Sequence, residues 1–335
     1  MIVPGPLYSG PSMKHVLRGD VDGNLQSKLA IIGHRGCGKN ITTATAAEGE
    51  MRPSIMENTL MSFNIAARHG ADFVEFDVQV TKDGHPIVFH DDFIVVKENN
   101  CLVHKRIGDM TLEEFLQIGY QKDSQQAEKS LYRRRPDGSY SAWTVSLDDS
   151  LCTLKDVFEH VPPFVGFDIE LKFDDYNDVS HEELKRSIDA VLEVVNGSCN
   201  GRKIFFSSFH PDAALMLRQE QFLHPVLFLT DGVAGVYPDH RRGSLADAME
   251  VCLSGNLQGT VTEVKAILQH PEAVQQFMVA GLSLLTYGDL NNVADVLHLQ
   301  ASLGVDGLVV DHVLEMVVES MKEVESLKDA LDTLS

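Results

Sequence analysis

The 335-residue chain predicts an α/β fold, a (β/α)8 TIM barrel with an added β-hairpin and loop insertions over its C-terminal face. Three observations carry this. Nine short apolar runs recur along the chain, and helix-like stretches follow eight of them. One junction between runs is too short for a helix and contains Asp83-Gly84, a hairpin signal. The length suits one barrel rather than several large domains.

Residues 1–27 are rich in Gly and Pro without a period and read as an irregular N-terminal arm, leaving 28–335 for the barrel. The first run is Leu29–Ile32, followed by a polar loop over 37–56 and a helix over Leu60–His69. The second run, Phe73–Val80, and the third, Pro86–Phe89, must be antiparallel, because a parallel crossover needs about a dozen residues. With Thr81 facing Pro86, the register pairs Asp77 with His90. Residues 100–150 form an insertion with one short helix over Leu112–Ile118. Trp143, the single tryptophan, packs that insertion down. Six runs complete the barrel: Phe164–Leu171, Lys203–Phe206, Pro225–Leu229, Gly259–Val264, Leu282–Leu285 and Gly307–Val310. Helical periods lie among them at Glu182–Val195, Pro211–Glu220, Ala246–Leu253, Asn292–Leu303 and Leu314–Leu331.

Acidic residues number 49 against 28 basic, a net charge of −21, which opposes non-specific binding to nucleic acid or an anionic bilayer. Arg133-Arg134-Arg135 is the one dense basic cluster and reads as a solvated loop. Five cysteines without a CxxC pair fit intracellular free thiols better than disulfides or structural zinc. No apolar run reaches the roughly 18 residues of a membrane span. The first 25 residues lack a secretory pattern, which places the protein in the cytoplasm. Lys14 and Arg18 among small residues keep a plastid address as the alternative.

Gly33-His34-Arg35-Gly36 ends the first run, where barrels build active sites. Arginine offers a planar fork for phosphate, and histidine moves protons near neutral pH. Gly33 to Lys39 also approximates a phosphate loop, but Asn40 stands where Ser or Thr would hold magnesium. Glu75 and Asp77 are two residues apart on a strand and share a face, as do Glu170 and Lys172. Three carboxylates about 5 Å apart repel by roughly 3 kcal/mol per pair at an effective dielectric of 20. A hard cation such as Mg2+ or Ca2+ relieves that repulsion. The hairpin register brings His90 beside them. Glu57-Asn58-Thr59 reads either as a helix cap or as site support. Ser207-Ser208-Phe209 ends the fifth run and can point a hydroxyl into the mouth, with Ser208 the candidate for site support.

These residues resemble the glycerophosphodiester phosphodiesterase family. His34-Arg35-Gly36, Glu57-Asn58-Thr59, Glu75-Phe76-Asp77-Val78, His90-Asp91, Glu170-Leu171-Lys172, Ser208-Phe209 and Gly304-Val305-Asp306-Gly307 occur in family order. Leu284-Leu285-Thr286-Tyr287-Gly288 resembles the eukaryotic, plant-like branch. The resemblance implies metal-dependent hydrolysis of glycerophosphodiesters, such as glycerophosphocholine, to sn-glycerol 3-phosphate and an alcohol. It implies one divalent cation on Glu75, Asp77 and Glu170, His34 and His90 as acid and base, and Arg35 and Lys172 on the phosphate. The expected partner is that small substrate alone. Two rivals stand beside it: a lysophospholipase D-type activity, which needs a long apolar groove near 100–150, and a non-catalytic binding barrel.

Overall fold

The computed structural model describes residues 11–18, 29–40, 54–98, 101–118, 131–135, 137–143, 145–173, 179–233 and 239–332. Its strands in chain order begin with β1 (Ala30–Gly33), β2 (Phe73–Val80) and β3 (Pro86–Val88). Then come β4 (Phe93–Glu98), β5 (Cys101–Arg106), β6 (Leu131–Arg134) and β7 (Tyr140–Ala142). The chain continues with β8 (Gly166–Leu171), β9 (Ile204–Ser208), β10 (Val226–Thr230), β11 (Gly259–Glu263), β12 (Ser283–Tyr287) and β13 (Gly307–Val310). Eight of these run parallel in the order β1-β13-β12-β11-β10-β9-β8-β2, and β2 pairs back to β1, closing the barrel. All nine apolar runs of the sequence are strands, and β3 is the antiparallel addition on β2.

A closed parallel barrel buries both strand faces, so its strands read as continuous apolar runs rather than alternating ones. The two faces have different tasks. One packs on the outer helices. The other fills the lumen with Ala30, Ile32, Phe73, Phe205, Leu227, Leu229, Val261, Leu285 and Val309. Two residues beyond the last luminal apolar side chain, strand after strand presents a polar group at the mouth. Ile32 leads to His34, Phe73 to Glu75, Phe205 to Ser207, Leu229 to Asp231, and Val309 to Asp311. Gly166 opens β8 without a side chain because the Phe73 ring occupies that space; a Cβ there would lie 2.2 Å from ring carbons.

Three expectations need correction. Residues 1–27 do not form an irregular arm throughout: Met13–Arg18 is a helix. Its Met13, Val16 and Leu17 are buried with the luminal residues and close the barrel floor. The hairpin register is one residue shorter than expected. Val80 faces Pro86, Gln79 faces Ile87 and Val78 faces Val88. The cause is Thr81, whose N–H donates to the His85 carbonyl at 3.0 Å while its Oγ1 accepts from His85 N at 3.0 Å. That leaves a tight Lys82-Asp83-Gly84 loop, with Gly84 at φ 87. Third, the insertion begins earlier than residue 100 and carries more structure than one helix. Strands β5-β4-β6-β7 form an antiparallel sheet. Beneath it lies a separate core that includes Ile87, Phe89, Ile94, Val96, Phe115 and Leu131. The expected short helix is present as Leu112–Leu116, with a Thr111/Glu114 capping box.

Candidate active site

The mouth of the barrel holds a cavity of about 380 Å³ lined by His34, Arg35, Glu75, His90, Glu170 and Lys172, among others. Strand pairing builds its acidic floor. On adjacent β2 and β8, Glu75 faces Asp168 and Asp77 faces Glu170. Carboxylate oxygens of Glu75, Asp77 and Glu170 all lie within 4.8 Å of one another. All three residues are buried. Burial first, then Asp77 and Glu170, push Glu75 well above the usual carboxylate range. Burial alone would raise Asp77 too, but His90, Arg35 and Lys172 outweigh it and hold that carboxyl at about 2. Glu75 Oε1 is buried without a hydrogen-bond partner. An orphaned buried oxygen among three carboxylates, with no sulfur or imidazole ligand, fits a hard divalent cation.

The two histidines come from just past the ends of β1 and β3. His34 follows β1, and its N–H donates to the Val310 carbonyl at 2.9 Å. Its Nδ1 lies 2.7 Å from Asp311 Oδ1, the residue just past β13. Burial would raise Asp311, but His34 and Lys39 hold it below the usual range. His90 reaches the mouth although it lies outside the ladder. β3 ends at Val88, and Gln79 Nε2 then holds the carbonyls of Phe89 at 2.8 Å and Asp91 at 3.0 Å. His90 Nδ1 lies 2.7 Å from Asp91 Oδ1. The ring is 31% exposed, to the cleft, and the cleft's depth first, then Arg35 and Lys172, push its pKa down to about 4. Each histidine thus meets a carboxylate at Nδ1, and both residues line the cavity.

Arg35 sits at φ 48, a left-handed conformation costly for a side-chain-bearing residue. The turn is held from several sides: Arg35 N donates to Glu75 Oε2 at 2.8 Å, and Asn58 N donates to the Arg35 carbonyl at 3.1 Å. Arg35 Nη1 donates to Glu57 Oε1 at 2.7 Å. Glu57 therefore holds Arg35 rather than capping a helix, and Thr59 is the N-cap of Leu60–Arg68. Asn58 Nδ2 donates to Asp77 Oδ2 at 2.8 Å. Lys172 Nζ lies 3.0 Å from Glu170 Oε1 and 3.8 Å from Asp77 Oδ1, and these acids raise its pKa against the effect of burial.

Ser208 does not reach the cavity. Its Oγ donates to the Leu171 carbonyl at 2.8 Å and ties β9 to β8. Ser207, one residue earlier and on the luminal face, lines the mouth and donates to Asp168 Oδ1 at 2.7 Å. The basic cluster is not a solvated loop either: Arg133 donates to Glu57 and Asp91 from β6. Lys39 pairs with Asp289 at 2.5 Å rather than closing a phosphate loop; residues 41–53 of the expected polar loop lie outside the described residues. Sequence reasoning missed Asp311, Asp168 and Arg133, and of the Ser207-Ser208 pair it chose Ser208. Asp311, Asp168 and Ser207 obey the two-residue luminal spacing that exposed Glu75 and Asp77. Arg133 carries no comparable signal.

Residues 34–315 match the model of the glycerophosphoryl diester phosphodiesterase family. Glycerophosphodiester phosphodiesterase GDPD2 of Arabidopsis thaliana is 45% identical over 289 residues, covering 86% of this chain and 76% of that protein. The chloroplastic GDPD1 of the same plant is 45% identical over 299 residues, 89% of this chain and 81% of the relative. A phosphodiesterase from Oleispira antarctica, solved with the product sn-glycerol-3-phosphate, superposes with a TM-score of 0.57 at 18% identity. That superposition covers 87% of this chain and 96% of the other, and it supports the fold. The barrel, the ordered site residues and the match across most of the chain lead to one statement: the chain belongs to the glycerophosphoryl diester phosphodiesterase family.

Proposed function

We propose that the chain hydrolyses glycerophosphodiesters, glycerophosphocholine among them, to sn-glycerol 3-phosphate and an alcohol, with one Mg2+ or Ca2+ ion. One observation carries the reading: His34 and His90, each with a carboxylate at Nδ1, line the same cavity as Glu75 and Glu170, whose carboxylates cluster with that of Asp77. Glu75, Asp77 and Glu170 would hold the cation, which when bound supplies positive charge and Lewis acidity at the phosphoryl group. Arg35 and Lys172 bind and orient the phosphoryl oxygens. One histidine takes the proton of the attacking hydroxyl at Nε2 as the phosphorus–oxygen bond forms, and the other gives a proton to the leaving alkoxide. The attacking group is water or the glycerol 2-hydroxyl; a search for cyclic phosphate and the stereochemistry at a chiral phosphorus, inverted by one displacement and retained by two, separate them.

The lysophospholipase D-type rival needs a long apolar groove near 100–150. Among the described residues, the trough of about 800 Å³ beneath the insertion is lined by Asp91, Asp92, His104, Arg106, Arg133 and Arg134, with only a minority of apolar side chains. The catalytic unit is proposed to span residues 28–335. Among the described residues no helix is long and apolar enough to cross a membrane. The free thiols favour the cytoplasm, while the chloroplastic relative supports the plastid; organelle fractionation decides. The activity test is release of sn-glycerol 3-phosphate from glycerophosphocholine with Mg2+, Ca2+ or EDTA. Metal-dependent release lost in His34→Ala and Glu75→Gln supports the proposal; no release by folded wild type sinks it.

A further inference from the structure

We propose that Arg133, delivered by the insertion, is a positioning residue for both sides of the site; this rests on the hydrolysis proposed above. Its Nη1 and Nη2 donate to Glu57 Oε2 at 3.0 Å and Oε1 at 2.7 Å. Its Nε donates to Asp91 Oδ2 at 2.8 Å. Each acceptor has a second task. Glu57 Oε1 also takes Arg35 Nη1 at 2.7 Å, and Asp91 Oδ1 lies 2.7 Å from His90 Nδ1. The phosphate-binding arginine and one proton-transferring histidine are therefore tied to a single guanidinium. Its donors are fixed in one plane, so Glu57 and Asp91 cannot turn independently.

The fork is itself held. Arg133 faces Ser141 across the β6–β7 ladder. Its guanidinium carbon lies 4.8 Å over the Trp143 ring. Trp143 stacks on Phe89 at 5.9 Å with an interplanar angle of 9°, and Phe89 directly precedes His90. Charge adds a second role. Glu57 is buried, and with Arg35 alone it would cancel the charge that Arg35 offers to a phosphate. Arg133 supplies a second cation to the same carboxylate, so Arg35 keeps its positive charge toward the cavity. Lysine, a single point charge, cannot span Glu57 and Asp91 together.

The test compares Arg133→Met and Arg133→Lys with wild type by kcat and KM on glycerophosphocholine, thermal melting, and calorimetric affinity for sn-glycerol 3-phosphate. A folded Arg133→Met should lose on the order of 10–100-fold in kcat/KM, the usual effect of removing a supporting partner. It should bind the product more weakly and recover part of its kcat when guanidinium ion is added, with Arg133→Lys in between. A folded Arg133→Met within about threefold of wild type in turnover and product affinity overturns the proposal. So does a loss without guanidinium rescue that Arg133→Lys repairs completely. If Arg133→Met does not fold, Trp143→Leu decides. That change removes the face under the guanidinium together with the ring stacked on Phe89, so it is read beside Phe89→Leu, which loosens the stack but keeps the indole under Arg133. Unchanged product affinity and kcat in Trp143→Leu, or an equal loss in both variants, overturn the role, while a larger loss in Trp143→Leu supports it. Wild type without hydrolysis would end the proposed function, whereas the product-affinity comparison would still decide Arg133.

Discussion

Replacing Asp311 by Asn removes one charge beside His34 and almost no volume. The carboxylate lies 2.7 Å from His34 Nδ1 and also accepts from Lys39 N at 3.2 Å. If His34 takes part in the proton transfer proposed above, it carries an extra proton during turnover and Asp311 stabilises the imidazolium. At about 4 Å and an effective dielectric of 20 that attraction is roughly 4 kcal/mol. The two side chains are 25% and 17% exposed. Solvent screening leaves about half, roughly 2 kcal/mol. That corresponds to about a 30-fold lower kcat. Asn can also turn its NH2 toward Nδ1 and impose the other tautomer, which adds to the loss. The assay is steady-state hydrolysis of glycerophosphocholine, with cation affinity measured alongside. KM and cation affinity should stay near wild type, because Asp311 is not one of the three clustered carboxylates. A kcat within about threefold of wild type refutes the argument, since His34 would then carry no charge in the rate-limiting state.

Gly166→Ala should destabilise by about 1–3 kcal/mol through overpacking, because the new Cβ would lie 2.2 Å from the fully buried Phe73 ring; urea unfolding checks it. Leu17→Ala on the barrel floor should cost about 2 kcal/mol and leave kcat unchanged, since the mouth is at the opposite end. Glu75 and Asp168 are held above their usual range, so their folded forms take up protons more readily than the unfolded chain. Without a cation their charges destabilise the fold at neutral pH, and that penalty is relieved as pH falls through the raised values. Added Mg2+ or Ca2+ should therefore raise the melting temperature more at pH 7.5 than at 4.5, and an equal rise at both would refute the linkage.

The barrel was legible because its strands are buried on both faces, so Phe73–Val80 and Gly166–Leu171 read as apolar runs even with carboxylates inside them. The insertion sheet was not. β5 has only Cys101-Leu102-Val103 before three polar residues and no buried face, and β6 is half Arg, so the apolar Phe93–Val96 of β4 had no recognisable partner strand. Glu75, Asp77 and Glu170 could be found from spacing within a strand. Asp311 could not be joined to His34 that way, for 277 residues separate them and only barrel closure brings β13 beside β1. The hairpin shows how a small error spreads: a loop one residue too long changed the partner assigned to Asp77 from Phe89 to His90. Arg133 was misread because a run of like charge is ordinarily solvated, and nothing local reveals a buried acid waiting 76 residues away.

The luminal spacing gives the barrel a reading frame of two. Remove one residue between Phe73 and Glu75, and the composition and hydropathy of β2 scarcely change. Glu75 and Asp77 nevertheless rotate out toward the helices, and neutral neighbours face the cavity instead. Conversely, exchanges that keep the frame can alter the mouth while leaving the lumen's apolar packing below undisturbed. Chemistry and stability are thus written on the same strands in separable places, and strand length, more than strand composition, is the variable on which the site depends.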